Sequence, residues 1–296
     1  MINYTERINV LVRDLIARVP RLSYIDPDEL LVFARYGRSG AEGAFATCHC
    51  ISHPPTDPGS YYWRDRVTGN ITRRSHWFVT KSPQVVVRGR RVNYLISFTL
   101  PRFCDQTLRG SRKEHHYGRV PCWLAKLDTI VHELYHIDPT QPGIRRVELN
   151  DGRISSGSHG HRFLATVAEM VHEYLDSGPD PALCDFLRHD FAELERRSGG
   201  VSATTFRNFP SFPQRYIELL PATAEPQTLP NTVIQPLRVP TRSQYFTEHD
   251  LVSRQFLSET TRRIIARREV RREWATVRGI SPGMERPRAA AGHRRK

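Results

Sequence analysis

Apolar residues in the opening stretch, MINYTERINVLVRDLIARVPRL, recur at helical spacing, with Ile8, Leu11, Leu15 and Ile16 on one face and charges between them. The pattern predicts an amphipathic first helix. Runs of strand length follow at residues 30–36, 43–51, 76–80, 84–87 and 92–100, separated by turn signals such as Gly37-Arg38-Ser39-Gly40. The last two flank Arg88-Gly89-Arg90, which suits a tight hairpin. Together they predict a small, mostly antiparallel sheet.

Helical spacing returns near Pro121, a residue tolerated in a first turn because no amide donor is needed there. Leu124, Leu127, Val131 and Leu134 form a stripe that Ile130 and Ile137 widen, and Pro139 ends it. Residues 144–155 read as a hairpin turning at Asn150-Asp151-Gly152. A second periodic helix follows over about 161–175, with Phe163, Leu164, Val167, Val171, Tyr174 and Leu175 on its apolar face, and a short helix over 181–197 closes the domain. Seven prolines between Pro210 and Pro240 then mark a linker or surface wrap. Residues 248–275 read as an arginine-rich helix, and the tail RPRAAAGHRRK as disordered. The expected division is therefore 1–197, 198–247 and 248–296.

Composition narrows the class. With 296 residues, 39% hydrophobic and 25% charged, the chain has material for one full domain plus polar extensions. The net charge of +13 favours anionic partners: nucleic acid, an acidic protein or a membrane surface. No stretch approaches the roughly 20 apolar residues of a membrane span, and charges interrupt the first segment where a secretory signal would be apolar. Five cysteines make an odd count without framework spacing, so reduced thiols and a cytoplasmic location are expected.

The sharpest chemical signal is His132-Glu133-Leu134-Tyr135-His136, an H-E-x-x-H motif on the first periodic helix after the sheet. Residues four apart share a helix face, so the two imidazoles can converge on one ion. Glu133 lies about 100° further round. Its carboxylate can therefore reach an attacking water without becoming a ligand. A catalytic zinc has three protein ligands and an open position, so a third must come from elsewhere. The stretch Ser158-His159-Gly160-His161-Arg162-Phe163, at the entrance of the next helix, offers the best candidate.

Here the chain resembles the SprT-like family of zinc metallopeptidases, which pair HExxH with a downstream HGxxF, and it is similar to small phage-type and bacterial relatives. The resemblance spans about residues 92–175. It implies His159 as third ligand and Phe163 as the packed aromatic, with His132 and His136 completing a Zn2+ site and Glu133 as general base. It also implies an α+β, zincin-like fold: N-terminal helix, twisted sheet, HExxH helix and second ligand helix. The segment between His136 and His159 is longer than is usual in that family, and no downstream Cys-x-x-Cys ribbon follows. Alternative third ligands are His161, or Glu169 or Glu173 on the second helix, the two glutamates reading more simply as solvated.

Other residues carry weaker signals. By resemblance, the strand over 92–100 would edge the cleft and accept an extended peptide as an added strand. Asp128, four before His132, reads as a surface carboxylate or as an acceptor for an imidazole N–H. Asp138 reads as a helix-end residue. Cys48-His49-Cys50 with His53 looks like a second zinc cluster, but alternation on a strand sends 48 and 50 to one side and 49 to the other, which favours structural cysteines. His115-His116 sits in a basic loop within the polar stretch 106–119, a lid candidate that is solvated or faces substrate. Arg262, Arg263, Arg267, Arg268, Arg271 and Arg272 cluster in the last helix, where they either bind phosphates or pair with Glu269 and Glu273. The expected function is hydrolysis of a protein or peptide substrate, with nucleic acid a possible partner of the basic C-terminal region and no membrane partner. The alternative is a basic nucleic-acid-binding or regulatory protein whose metal site is structural or inactive.

Overall fold

The computed structural model describes residues 1–51, 60–64, 67–68, 70–78, 82–107, 113–117, 122–145, 147, 158–208, 214–219 and 243–277. The strands are β1 (Ile2–Asn3), β2 (Leu30–Gly37), β3 (Ala46–Cys50), β4 (Ser60–Arg64), β5 (Ile71–Phe78), β6 (Ser82–Val87), β7 (Arg90–Val92), β8 (Tyr94–Pro101), β9 (Val201–Phe206), β10 (Gln214–Leu219), β11 (Ser243–Thr247) and β12 (Leu251–Phe256). The α-helices are α1 (Tyr4–Arg18), α2 (Glu114–Tyr117), α3 (Trp123–Tyr135), α4 (Phe163–Asp176), α5 (Phe191–Ser198) and α6 (Glu259–Val277). The chain is mixed α+β, with small sheets ordered β2-β8-β3, β1-β9-β12, β10-β5-β4 and β11-β6-β7.

α1 begins at Asn3, whose side-chain oxygen accepts the Glu6 amide at 3.3 Å, and ends where Val19 turns extended before Pro20. Its Ile8, Leu11, Leu15 and Ile16 are buried, as their spacing predicts. They pack with α3 and α4 onto one face of the β2-β8-β3 sheet. β8 is buried at every position. Tyr94, Ile96, Phe98 and Leu100 join that helical core, while Leu95 joins a second cluster with Phe33, Val85, Phe206 and Phe246. Covering both faces explains why β8 reads as a continuous apolar run instead of an alternating one.

Several expectations change. β2 pairs with β8 in parallel, as do β1 with β9 and β6 with β11, so the sheets are more mixed than a mostly antiparallel set. The run 92–100 breaks at Asn93: β7 turns back on β6 through Arg88 and Gly89, both at positive φ, whereas β8 enters a different sheet. β4 was not anticipated, and β5 starts earlier than residue 76.

The largest difference concerns the C-terminal third. By internal contacts the chain separates into Met1–Phe256 and Leu257–Lys296, not at 197/198 and 247/248. β9 pairs with β1 and β12, and Val201, Ala203 and Phe256 lie in the main core. Residues 251–256 form a strand instead of the start of a helix. Thr247 and Asp250 make a reciprocal capping box, a local helix-start signal, but it serves only the short turn Glu248–Asp250 before the chain extends. α5 ends at Gly199, whose φ of 65° few other residues adopt, and this turns the chain into β9. The expected hairpin turn at 150–152, residues 209–213 and 220–242 of the proline-rich linker, and the tail from 278 lie outside the described residues, whereas 214–219 of that linker form β10. Among the described residues, no helix is long and apolar enough to cross a membrane.

Candidate metal centre

α3 presents His132 on its last turn and His136 at its C-cap, so the i, i+4 spacing places both rings on one side. Their ring centroids are 4.8 Å apart. His159 arrives from the loop before α4, and its Nε2 lies 3.1 Å from Nε2 of His132 and 3.1 Å from Nε2 of His136. Phe163, on the first turn of α4, is buried beneath all three, with its centroid 4.9, 5.0 and 4.6 Å from those of His132, His136 and His159. The apolar ring thus forms a shared floor for the trio.

This donor set fits a metal ion. An imidazole nitrogen offers either one proton or one lone pair, so at most one of the two 3.1 Å contacts at His159 Nε2 can be a hydrogen bond. One cation between the three nitrogens satisfies every contact, and tetrahedral ligation at about 2.0–2.1 Å spaces ligand nitrogens about 3.3 Å apart. Burial, then the neighbouring imidazoles and Lys113, depress the pKa of His132 to about 2, which keeps its lone pair available. His132, His136 and His159 form the one group of potential metal ligands among the described residues.

Glu133 is buried beside the trio, and its Oε2 accepts the Cys48 backbone amide at 2.7 Å. Burial raises its pKa to about 7, against the opposing pull of that amide and of Lys113. The histidines and Glu133 open onto a cleft of about 410 Å³, whose other walls include Ala44, Phe45, Ala46, Lys113 and Ile144.

The cleft's strand edge is β3, not the run 92–100. β8 is paired on both sides, by β2 and β3, and has no free edge to offer. In the β3–β8 register, Phe45 and Ile51 exchange backbone bonds with the β8 side, so the intervening Ala46, Cys48 and Cys50 direct theirs outward. The Glu133–Cys48 bond uses one of these outward amides.

The alternative third ligands stand elsewhere. His161 is exposed and outside the trio. Glu169 and Glu173 pair with Arg21 at 2.7 and 3.2 Å. Asp138 closes the turn after α3 by accepting the amides of Thr140 and Gln141. Asp128 is neither a surface carboxylate nor an imidazole acceptor. It is 1% exposed, lies 2.8 Å from the Lys113 ammonium and accepts the Tyr117 hydroxyl at 2.7 Å. The buried Nδ1 of His132 has no hydrogen-bond partner among the described residues.

Cys48 and Cys50 pack toward the main core, while His49 turns to Ser97 and Phe33 on the opposite face, as alternation requires. His53 lies outside the described residues. Of the expected lid, residues 106–107 and 113–117 are described, and two of them are fastened to α3: Lys113 donates to the Ala125 carbonyl, and Gln106 accepts from the Thr129 hydroxyl. His115 is exposed, with its ring against His116.

Sequence reading did not find Cys48, Lys113 or Arg145 as parts of the site. Lys113 and Arg145 each lie ten residues beyond an end of α3 and carry no motif that links them to it. The outward amide of Cys48 follows only from sheet order. No family model, curated protein or solved structure matches the chain.

Proposed function

We propose that this chain is a zinc-dependent peptidase of the SprT-like, zincin-like kind suggested by HExxH and His159-Gly160-His161-Arg162-Phe163. The observation that carries the reading is the convergence of three imidazole nitrogens beside one buried carboxylate in an open cleft. His132, His136 and His159 would hold the ion. Held there, zinc would supply Lewis acidity and make water acidic enough to attack near neutral pH. Glu133 takes the proton from the attacking water and passes it to the leaving amine. The Cys48 amide fixes that carboxylate, and the outward groups of Ala46 with the outward carbonyl of Cys48 can hold an extended peptide across the cleft. Three protein ligands and a cleft also favour a catalytic site over a closed structural one.

The test is Glu133→Gln. The variant should retain zinc while hydrolysis of a denatured, fluorophore-labelled protein falls by about 10²–10⁴-fold, the range of general base catalysis. Retained hydrolysis overturns the reading.

A second reading concerns the unit Leu257–Lys296. α6 exposes Arg263 and Arg267 within an arginine-rich run. Such spacing suits a phosphate backbone and would tether a peptidase near nucleic-acid-associated proteins. Replacing Arg262, Arg263 and Arg267 with Gln should weaken a salt-sensitive shift of duplex DNA. An unchanged shift removes the tether.

A further inference from the structure

α3 ends with carbonyls that lack helical partners, at the negative pole of its dipole, and His136 stands at that end. The chain makes a short excursion closed by the Ile137–Ile144 bridge and returns with Arg145. The Arg145 amide donates to the His136 carbonyl at 2.7 Å, and its Nε to the Tyr135 carbonyl at 3.0 Å. Its Nη2 reaches the Ile137 carbonyl at 3.4 Å and the Tyr24 hydroxyl at 3.1 Å. The Tyr24 hydroxyl itself donates to the Ile137 carbonyl at 2.7 Å. The guanidinium also lies 4.1 Å from the centroid of the Tyr135 ring. One residue therefore satisfies three successive carbonyls centred on His136.

We propose that Arg145 is a positioning residue for the metal centre. It sets where the His136 imidazole stands by fixing the backbone on both sides of it. The planar fork is essential, because a point charge could offset the helix dipole but could not address two carbonyls, a hydroxyl and an aromatic face in fixed directions. The proposal rests on the three histidines being a metal site. It assigns Arg145 no contact with substrate.

The test uses the full chain and four proteins: wild type, Arg145→Ala, Arg145→Lys and Tyr24→Phe. Zinc affinity is measured by competition with a chromophoric chelator, and the cobalt(II) absorption spectrum is recorded at saturating metal. Arg145→Ala should bind zinc about 10–100-fold more weakly, as expected when support behind a metal ligand is removed. Its cobalt bands should shift even when the site is full, which simple loss of stability would not produce. Arg145→Lys should recover only part of the affinity, and Tyr24→Phe should lose less than Arg145→Ala. Wild-type affinity and an unshifted spectrum in Arg145→Ala overturn the proposal. Full recovery in Arg145→Lys also overturns it, because charge alone would then suffice. Should Arg145→Ala fail to fold, Tyr24→Phe decides on the same two readouts, and no change there overturns the proposal. A wild-type chain that binds no zinc is a separate result, which removes the metal site itself.

Discussion

The three-histidine cluster has two unequal halves. His132 and His136 belong to a helix whose buried face contacts the sheet and α4, and whose end is tied by Arg145. His159 is exposed, stands before the first turn of α4 and meets the others through ring contacts and Phe163. The first half is part of the core, so stability and the placement of its imidazoles are coupled there. The second half is carried by a loop and can be changed without disturbing the core. As ligands, a pair from a packed helix with a third from a loop would give a rigid platform and an adjustable closure.

The residue joining the halves should give the largest effect. Phe163 is buried and touches all three imidazoles, so Phe163→Ala should cost about 3–5 kcal/mol in chemical unfolding and also weaken zinc binding. Normal zinc affinity in a folded Phe163→Ala chain would show that the floor is not needed.

Next comes the anchoring of α3 on its other flank. Asp128→Asn leaves the Lys113 ammonium without its buried carboxylate, and breaking such a pair costs about 3–5 kcal/mol. The lower end applies because Lys113 borders the cleft. Zinc stoichiometry should be unchanged, since Asp128 touches neither histidine. Loss of zinc from a chain that remains folded would return Asp128 to the role of imidazole acceptor.

How much of this was readable in advance follows from the range of each interaction. The pairing of His132 with His136 and the apolar stripe from Leu124 to Leu134 are local consequences of helical period, and both appear in the structure. His159 and Phe163 share a helix entrance, so a short motif carried them as well. What escaped notice depends on contacts between distant segments. The order β2-β8-β3 buries the run 92–100 and makes β3 the cleft edge, and no periodicity within either strand encodes that order. β9 and β12 were hidden for a related reason: their partners lie far along the chain, while the local Thr247–Asp250 box imitates a helix start. Asp128 was misread because burial of a carboxylate depends on Lys113 arriving from another loop.

A smaller effect lies on the far face of β3. His49 is held neutral by burial and by Arg35, with its pKa lowered to about 3. The unfolded side chain titrates near the ordinary value of about 6.5. Stability from this residue is therefore fully present above pH 6.5 and declines as pH falls toward 3, because the unfolded chain takes up a proton that the folded chain refuses. The slope is at most about 1.4 kcal/mol per pH unit. His49→Gln should flatten the stability profile in that window without changing zinc content. An identical slope would mean that His49 is charged in the fold.

The smallest effect on the fold tests the comparison most directly. His159→Ala removes an exposed side chain from the adjustable half, so the metal-free protein should unfold within about 0.5 kcal/mol of wild type. Zinc should nevertheless be lost from the variant, as measured by metal analysis after dialysis. His136→Ala should lose zinc too, but it empties a buried position at the end of α3 and should lower the stability of the metal-free chain. Equal stability losses would erase the distinction between platform and closure. Zinc retained in His159→Ala would mean that a group other than His159 completes the site, and the helix entrance would then lose its role in binding metal.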